Sequence, residues 1–242
     1  DLSFCTADAA IARDTTALFN YMTGYAEPQA MEKLAFAPLT LRKKLYELID
    51  TEIAHAKAGK PASIWAKLNS LVDPDMIDKL YEASSAGVDI MLNIRGICCL
   101  KSGVPGLSDR ITVRSIVGRF LEHSRIICFG NGDALPGAHA KVFITSADWM
   151  QRNLDRRIEV MAPIENPTVR EQVLNQIMVA CIKDNTQSWE MDANGAYRRI
   201  KAENNDEEFS SHDYFMKNPS LSGRGSALLQ GNKPPELKLK EI

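Results

Sequence analysis

Apolar residues recur along the chain at two spacings, and each spacing predicts one type of secondary structure. Helical spacing marks LRKKLYELIDTEIAHAKAG, which ends at Gly59, and MIDKLYEASSAG, which follows Asp73 and Pro74 and stops at Gly87. The same spacing predicts helices in TADAAIARDTTALFNYMTG and TVREQVLNQIMVACIKD. Four short, largely apolar runs predict buried strands: ASIWAKLNSL, VDIMLNIRG, IICF and KVFIT.

The alternation of these helices and strands predicts an α/β layered fold in which helices cover both faces of a sheet. In such folds ligands collect at the carboxyl ends of the strands. Asn69, Arg95 and the corner from Ser146 to Asp148 follow predicted strands, so we expect them at that edge. We also expect VRSIVGRFLEH to form an amphipathic helix that ends at His123.

Two stretches show neither spacing. Residues 25–40 contain Pro28 and Pro38, and we expect an irregular connection across the surface. After Asn185 the chain becomes polar, and residues 186–242 are expected to form a helical or disordered tail. The chain begins without methionine, so we expect it to be a piece of a longer protein.

The composition narrows the class of function. The chain has 242 residues, of which 45% are hydrophobic, enough for a substantial core. Its 29 basic residues are balanced by 31 acidic ones, which does not favour a general nucleic-acid or membrane-surface binder. Five cysteines without metal-ligand spacing predict reduced thiols in a cytoplasmic protein. No apolar run approaches the ~20 residues needed to cross a bilayer.

A dense group of polar residues follows KVFIT and includes Ser146, Asp148, Arg152 and Asn153. Arginine forks match phosphate oxygens, and a histidine such as His123 can exchange a proton near neutral pH. The sequence therefore predicts a local phosphate site at this corner. Lys141, at the start of the KVFIT strand, is a further candidate for the path of the anion.

Each candidate also has a structural interpretation. His123 at the end of a helix is typical of a C-terminal cap that the helix dipole stabilises. Arg95 at a strand end could be a surface charge or a partner for Asp89 or Asp109. Asp148 and Arg152 suit residues that orient the loop better than residues that touch a ligand.

Several segments, taken together and in order, resemble the C-terminal half of bacterial polyphosphate kinases. They are NIRGICCLKSGVPGLSDRI, LEHSRI and KVFITSADWMQRNLDRRIEV, with KLNSLVD, YEASSAGVDI and the opening DLSFCTAD. The resemblance covers residues 1–185. It implies a phospholipase-D-like layered fold with a mixed sheet, in which two similar α/β halves each contribute one histidine to a shared site. It also implies that residues 1–30 end a preceding catalytic domain, that residues 31–185 form the C-terminal catalytic domain, and that residues 186–242 follow as the tail.

The resemblance implies the chemistry as well. The family moves the terminal phosphate of ATP to and from inorganic polyphosphate in a ping-pong reaction. Arg95 matches an arginine that contacts ATP phosphates, and His123 matches a histidine at the phosphate site that is proposed as a general acid. The phosphorylated histidine, a tyrosine that contacts ATP and the arginines associated with Mg²⁺ lie upstream of Asp1 in the family. No metal site is therefore expected in this chain, and the chain alone is expected to be inactive.

The whole protein is expected to be a homo-oligomer that uses ATP or ADP, polyphosphate and Mg²⁺. By resemblance it is cytoplasmic or peripheral on the inner face of the membrane. Two other functions remain open: half of a phospholipase-D-type phosphodiesterase, and a non-catalytic module that binds polyanions or mediates oligomerisation. Against the phosphodiesterase, HSR at His123 is followed by an apolar strand where that family has H-x-K-x4-D.

Overall fold

A computed structural model describes residues 1–28, 30–202, 207–218 and 235–239. These residues form one mixed sheet with nine strands in the order β1-β7-β6-β5-β2-β3-β4-β8-β9. The strands are β1 (Ala35–Ala37), β2 (Ser63–Leu68), β3 (Asp89–Ile94), β4 (Ile111–Ile116), β5 (Ile126–Phe129), β6 (Lys141–Thr145), β7 (Glu159–Pro163), β8 (Ser188–Met191) and β9 (Tyr197–Arg199).

The centre of the sheet is parallel and its two flanks are antiparallel. β2 pairs with β3 in register from Ser63 opposite Asp89, and β3 pairs with β4 from Ile90 opposite Ile111. β5 runs antiparallel to β2, as β8 does to β4. The carboxyl ends of β2 and β3 therefore meet at one edge, together with the start of β5.

The helices are α1 (Ala9–Met22), α2 (Leu41–Lys57), α3 (Pro74–Ser85), α4 (Gln151–Asp155), α5 (Pro167–Glu171), α6 (Val179–Lys183) and α7 (Ser211–Lys217), with a π-helical segment, Gln172–Met178, joining α5 to α6. Asp73 caps α3 by accepting from the Met76 N–H at 2.9 Å, and Pro74 takes the first position. The helices predicted in TADAAIARDTTALFNYMTG, LRKKLYELIDTEIAHAKAG, MIDKLYEASSAG and TVREQVLNQIMVACIKD are confirmed, the last as α5, the π-helical segment and α6. Among the described residues, no helix is both long and apolar enough to span a bilayer.

Both faces of the sheet are covered, as predicted. Along β2, Ile64, Ala66 and Leu68 point into a core that also contains residues of α2 and α3. Trp65 points to the other face and packs with residues of β5, α6 and the π-helical segment. Because successive side chains of a strand point to opposite faces, this arrangement buries all six residues of β2. The predicted mixed α/β fold is confirmed.

The predicted amphipathic helix VRSIVGRFLEH is wrong. Its first part is strand β4, and residues 117–125 form a loop without a helix that leads into β5. The β-branched residues Ile111, Val113 and Ile116 are buried in the strand, whereas Val117 and Leu121 are 62% and 77% exposed. Pairing with β3 and β8 satisfies the backbone of this strand, and that tertiary pairing overrides the helical spacing.

Two stretches expected to be irregular contain strands. β1 lies within residues 25–40 and pairs with β7. The predicted tail begins with β8 and β9, which extend the sheet beyond β4, and it includes α7. The prediction of a helical or disordered segment is therefore wrong for β8 and β9. Residues 203–206, 219–234 and 240–242 of that tail lie outside the described residues.

Candidate active site

His123 lies in the loop between β4 and β5, with its side chain 46% exposed. Its Nε2 atom is 3.2 Å from Nη2 of Arg125, and its Nδ1 atom is 3.2 Å from the carboxylate of Asp1. A ring with its proton on Nδ1 can donate to Asp1 and accept from Arg125. The geometry therefore fits a neutral imidazole.

Arg125 is fixed by a two-pronged ion pair with Asp148. Its Nε and Nη2 atoms donate to the two carboxylate oxygens of Asp148, each at 2.9 Å. Asp148 also accepts from the backbone N–H groups of Asn69 at 2.8 Å and Ser70 at 3.0 Å. These bonds tie the end of β2, the start of β5 and the corner after β6 into one rigid unit.

The ion pair is almost fully buried, since the side chains of Arg125 and Asp148 are 11% and 7% exposed. Burial by itself would raise the pKa of Asp148. Hydrogen bonds from Arg125 and from the backbone of Asn69 and Ser70 outweigh burial and hold the pKa below its ordinary value. Asp148 is therefore a carboxylate at neutral pH and orients Arg125.

Arg95 follows β3 and reaches the same unit through Asn69. Its Nε atom donates to the side-chain oxygen of Asn69 at 2.8 Å, and its Nη2 atom donates to the same oxygen. Its Nη1 atom is buried and has no hydrogen-bond partner among the residues that the structure describes. A buried guanidinium donor without an acceptor is costly unless a ligand supplies one. An anion is the ligand that this donor suits.

The pKa of His123 is lowered, mainly by the positive charge of Arg125, then by burial and by the charge of Arg95. Asp148 opposes this shift. Because both arginines act on the ring, the three side chains share one electrostatic environment. An anion bound between them would offset the arginine charges and favour the protonated ring.

A cleft of about 490 Å³ is lined by His123 and Arg125. Its polar wall includes His123, Arg125, Thr145 and Ser146, and Leu2 and Phe4 contribute an apolar wall.

The predicted supporting residues separate into two sets. Ser146 donates from its hydroxyl to Glu159 at 2.5 Å, and the side-chain amide of Asn153 donates to the same carboxylate. Glu159 therefore joins Ser146 and Asn153. Arg152 is exposed on α4. Lys141 is exposed at the opposite end of β6 from Ser146, so the structure does not bring it to the group around His123.

The structural interpretations of His123 and Arg95 are wrong. Residues 117–122, directly before His123, are not helical, so His123 is not a helix cap. Asp89 pairs with Arg110 at 2.6 Å, and Asp109 accepts from the N–H of Gly106 at 2.7 Å. Neither acid is engaged with Arg95.

Sequence reasoning missed two residues that hold the site together. Arg125 lies in the segment LEHSRI, two positions after His123. That spacing of a basic residue from the histidine is the sequence signal that could have identified it. Lys67 reads as one polar residue in an apolar strand. Its side chain is 4% exposed, and its Nζ atom is 3.1 Å from Oγ of Ser124, next to His123.

The described residues do not provide a magnesium site. No group of three His, Cys, Asp or Glu side chains among them is placed to hold a metal ion. Asp148, the buried acid at the site, already has both oxygens engaged by Arg125 and backbone N–H groups. This donor set does not suit Mg²⁺, which prefers free carboxylate or phosphate oxygens.

Comparison with known proteins identifies the family. The chain matches the model of the polyphosphate kinase C-terminal domain 2 over residues 34–212. The chain belongs to the polyphosphate kinase family. It is 56% identical over 234 residues to a polyphosphate kinase of Erythrobacter litoralis. That alignment covers 97% of this chain and 32% of the relative. A polyphosphate kinase of Thermosynechococcus vestitus is 45% identical over 93% of this chain and 30% of its own length.

A solved structure agrees with this assignment. The crystal structure of polyphosphate kinase from Porphyromonas gingivalis superposes with a TM-score of 0.82 at 36% identity, over 88% of this chain and 32% of that chain. The chain thus spans about a third of the length of these polyphosphate kinases. The resemblance seen in the sequence is confirmed, and the family match continues past residue 185 to residue 212.

Proposed function

We propose that this chain is the C-terminal catalytic part of a polyphosphate kinase. The enzyme would transfer the terminal phosphate of ATP reversibly to inorganic polyphosphate, through a phosphohistidine upstream of this chain. Beyond family membership, one observation supports the proposal most strongly. The buried Nη1 donor of Arg95 has no partner among the described residues, and Arg95 lies in the hydrogen-bonded unit that carries His123.

Phosphoryl transfer depends on positioning and on neutralising oxygen charge, and the three basic side chains suit both tasks. Arg95 would hold non-bridging phosphate oxygens with its free donor. Arg125 would remain paired with Asp148 and keep the ring of His123 oriented. The charges of Arg125 and Arg95 lower the pKa of His123, so binding of a phosphate chain would raise this pKa and favour the protonated ring.

The reaction balances in two steps. The upstream histidine attacks the terminal phosphorus of ATP, the bond to the bridging oxygen breaks, and ADP leaves. A terminal oxygen of polyphosphate then attacks the phosphohistidine, which releases the histidine and lengthens the chain by one phosphate. In this scheme His123 is the general acid that protonates or stabilises the leaving oxygen.

The proposal extends to the rest of the enzyme. Residues 1–30 would end the preceding catalytic domain, and the residues associated with Mg²⁺ would lie upstream. Ser146, Asp148 and Asn153 would support the phosphate corner, Arg152 would orient its loop, and Lys141 would serve only a distant part of the anion path. The whole protein would be a cytoplasmic homo-oligomer, or peripheral on the inner face of the membrane.

Calorimetric titration of the chain with long-chain polyphosphate, and separately with Mg²⁺-ATP, tests the half-site. We expect Arg95→Ala and His123→Ala each to weaken binding at least about tenfold, the loss typical of a charge-assisted hydrogen bond. Arg110→Ala is the matched control for Arg95, because it removes an exposed arginine paired with Asp89 at the far end of β3. His139→Ala removes a histidine that is 74% exposed and controls for His123.

Equal affinity in wild type, Arg95→Ala and His123→Ala would refute this location of the phosphate site. Binding that falls equally in the Arg110→Ala control would indicate attraction by overall charge. Binding that depends on Arg95 but not on His123 would support a polyanion-binding module and remove the assigned role of the histidine.

A further inference from the structure

A buried group of ionisable side chains lies beside the loop that carries His123. The Nζ atom of Lys67 is 2.9 Å from one carboxylate oxygen of Glu122, and Nε2 of His212 is 2.8 Å from the other. Lys67, Glu122 and His212 are 4%, 13% and 2% exposed. Glu122 directly precedes His123, so the group acts on the backbone next to the proposed catalytic residue.

Helix α7 carries His212 and is itself firmly docked. The buried carboxylate of Asp184 accepts from both the N–H and the hydroxyl of Ser211, each at 2.8 Å. The side-chain oxygen of Asn185 accepts from the N–H of Phe209 at 2.7 Å. These bonds attach the start of α7 to the end of α6, and the helix is a fixed support.

The ring of His212 contacts the loop at two points. Its Nδ1 atom accepts from the N–H of Phe120 at 3.4 Å, and its Nε2–H donates to Glu122. Its ring centroid is also 5.4 Å from that of Phe120. Both bonds require a neutral ring with the proton on Nε2, and they hold the loop on either side of Leu121.

The other side of the loop is held by β2. Lys67 donates to the hydroxyl of Ser124 at 3.1 Å and to its carbonyl at 3.4 Å. Residues 120–124 therefore lie between a helix and a strand that are far apart in the sequence. These contacts order residues 120–124, whereas Val117 and Leu121 expose their side chains and pack little.

We propose that His212 and Glu122 form a latch through which α7 positions His123. His212 is a positioning residue, since it contacts Phe120 and Glu122 of the loop and does not contact His123. The consequence of the latch for phosphate binding rests on the proposed function, because an unlatched loop would let His123 shift relative to Arg95.

Hydrogen exchange of the full 242-residue chain, followed by mass spectrometry, tests the latch. In His212→Leu we expect peptides covering residues 117–124 to exchange at least about tenfold faster, as loss of a hydrogen bond to a charged group predicts. Peptides covering residues 63–68 of β2 should not change. His212→Gln can still donate to Glu122 and should restore most of the protection. Met216→Ala, an exposed position on α7, is the matched control.

A second variant leaves the buried His212 unchanged. Ser211→Ala removes the hydrogen bond from the Ser211 hydroxyl to Asp184 and removes no side chain that contacts the loop. It should loosen α7 and speed hydrogen exchange in residues 117–124 about fivefold. The same variants should weaken polyphosphate binding in the order of their exchange rates.

Unchanged exchange in residues 117–124 in both His212→Leu and Ser211→Ala would overturn the latch. Faster exchange in β2 to the same degree would also overturn it, because His212 would then support the whole fold. Failure of His212→Gln to restore protection would contradict the hydrogen bond. These results do not depend on the ligand, whereas absence of polyphosphate binding by wild type would refute the proposed function and leave the latch standing.

Discussion

Replacing Arg125 by methionine should destabilise the chain by breaking the buried ion pair at the centre of the site. Methionine keeps much of the length of the side chain and removes the two bonds to Asp148 at 2.9 Å. Asp148 would remain buried with a negative charge and without its cationic partner. The change therefore isolates the electrostatic role of Arg125 from its packing.

The expected cost follows from burial. Removing one partner of a buried ion pair costs about 3 to 5 kcal/mol. Asp148 keeps the N–H groups of Asn69 and Ser70, which still donate to its Oδ1 atom. The loss should therefore lie at the lower end, about 3 kcal/mol.

Urea unfolding at pH 7, followed by circular dichroism, measures this loss. The double variant Arg125→Met with Asp148→Asn should recover at least about 1 kcal/mol, because a neutral amide costs less to bury than a charge and its oxygen can accept both backbone bonds. Arg110→Met is the control, since its partner Asp89 is 69% exposed, and a surface pair of this kind is worth about 0 to 1 kcal/mol.

The pH dependence has a definite sign. The pKa of Asp148 is lower in the folded chain than in the unfolded chain, so its contribution is complete above the unfolded value of about 3.9 and is lost as the pH falls through the folded value. This loss should be smaller in Arg125→Met. A cost below about 0.5 kcal/mol, within the range of ordinary surface changes, would refute the reasoning.

Two further predictions concern single groups. In Arg125→Met the pKa of His123 should rise toward its ordinary value, since Arg125 is the main cause of its lowering; an NMR titration of the histidine rings checks this, and an unchanged pKa would contradict it. In Asp14→Ala the N–H groups of Glu32, Lys33 and Leu34 lose a shared acceptor that now lies 2.7 to 2.9 Å away. Unfolding by urea should show a loss of about 2 kcal/mol, and wild-type stability would show that water replaces the carboxylate at no cost.

The parts of the fold that local chemistry specifies could be predicted from the sequence. α3 has Asp73, Pro74 and Gly87 at its limits, and β2 and β3 are apolar runs of strand length. β4 could not be recognised, because the apolar residues Ile111, Val113 and Ile116 fit both helical and strand spacing. Only the pairing with β3 and β8 selects the strand. β8 and β9 are short strands in a polar stretch, and only the pairing of β8 with β4 and of β9 with β8 selects that conformation.

The site divides in the same way. Arg95 and His123 were found through family resemblance, and their place after apolar runs agrees with it. The pairing of Arg125 with Asp148 leaves no periodic signal, because it joins the start of β5 to the corner after β6. The contact of Lys67 and His212 with Glu122 joins three distant segments, and His212 lies in a stretch whose composition predicted only a tail.

NMR observation of the histidine rings during addition of long-chain polyphosphate would test the central claim most directly. The account predicts that the ring resonances of His123 shift with saturation and that its pKa rises, because bound phosphate offsets the charges of Arg95 and Arg125. The exposed ring of His139 should not respond, and Arg95→Ala should remove the response of His123. Saturable binding of polyphosphate that leaves His123 unchanged would contradict the account.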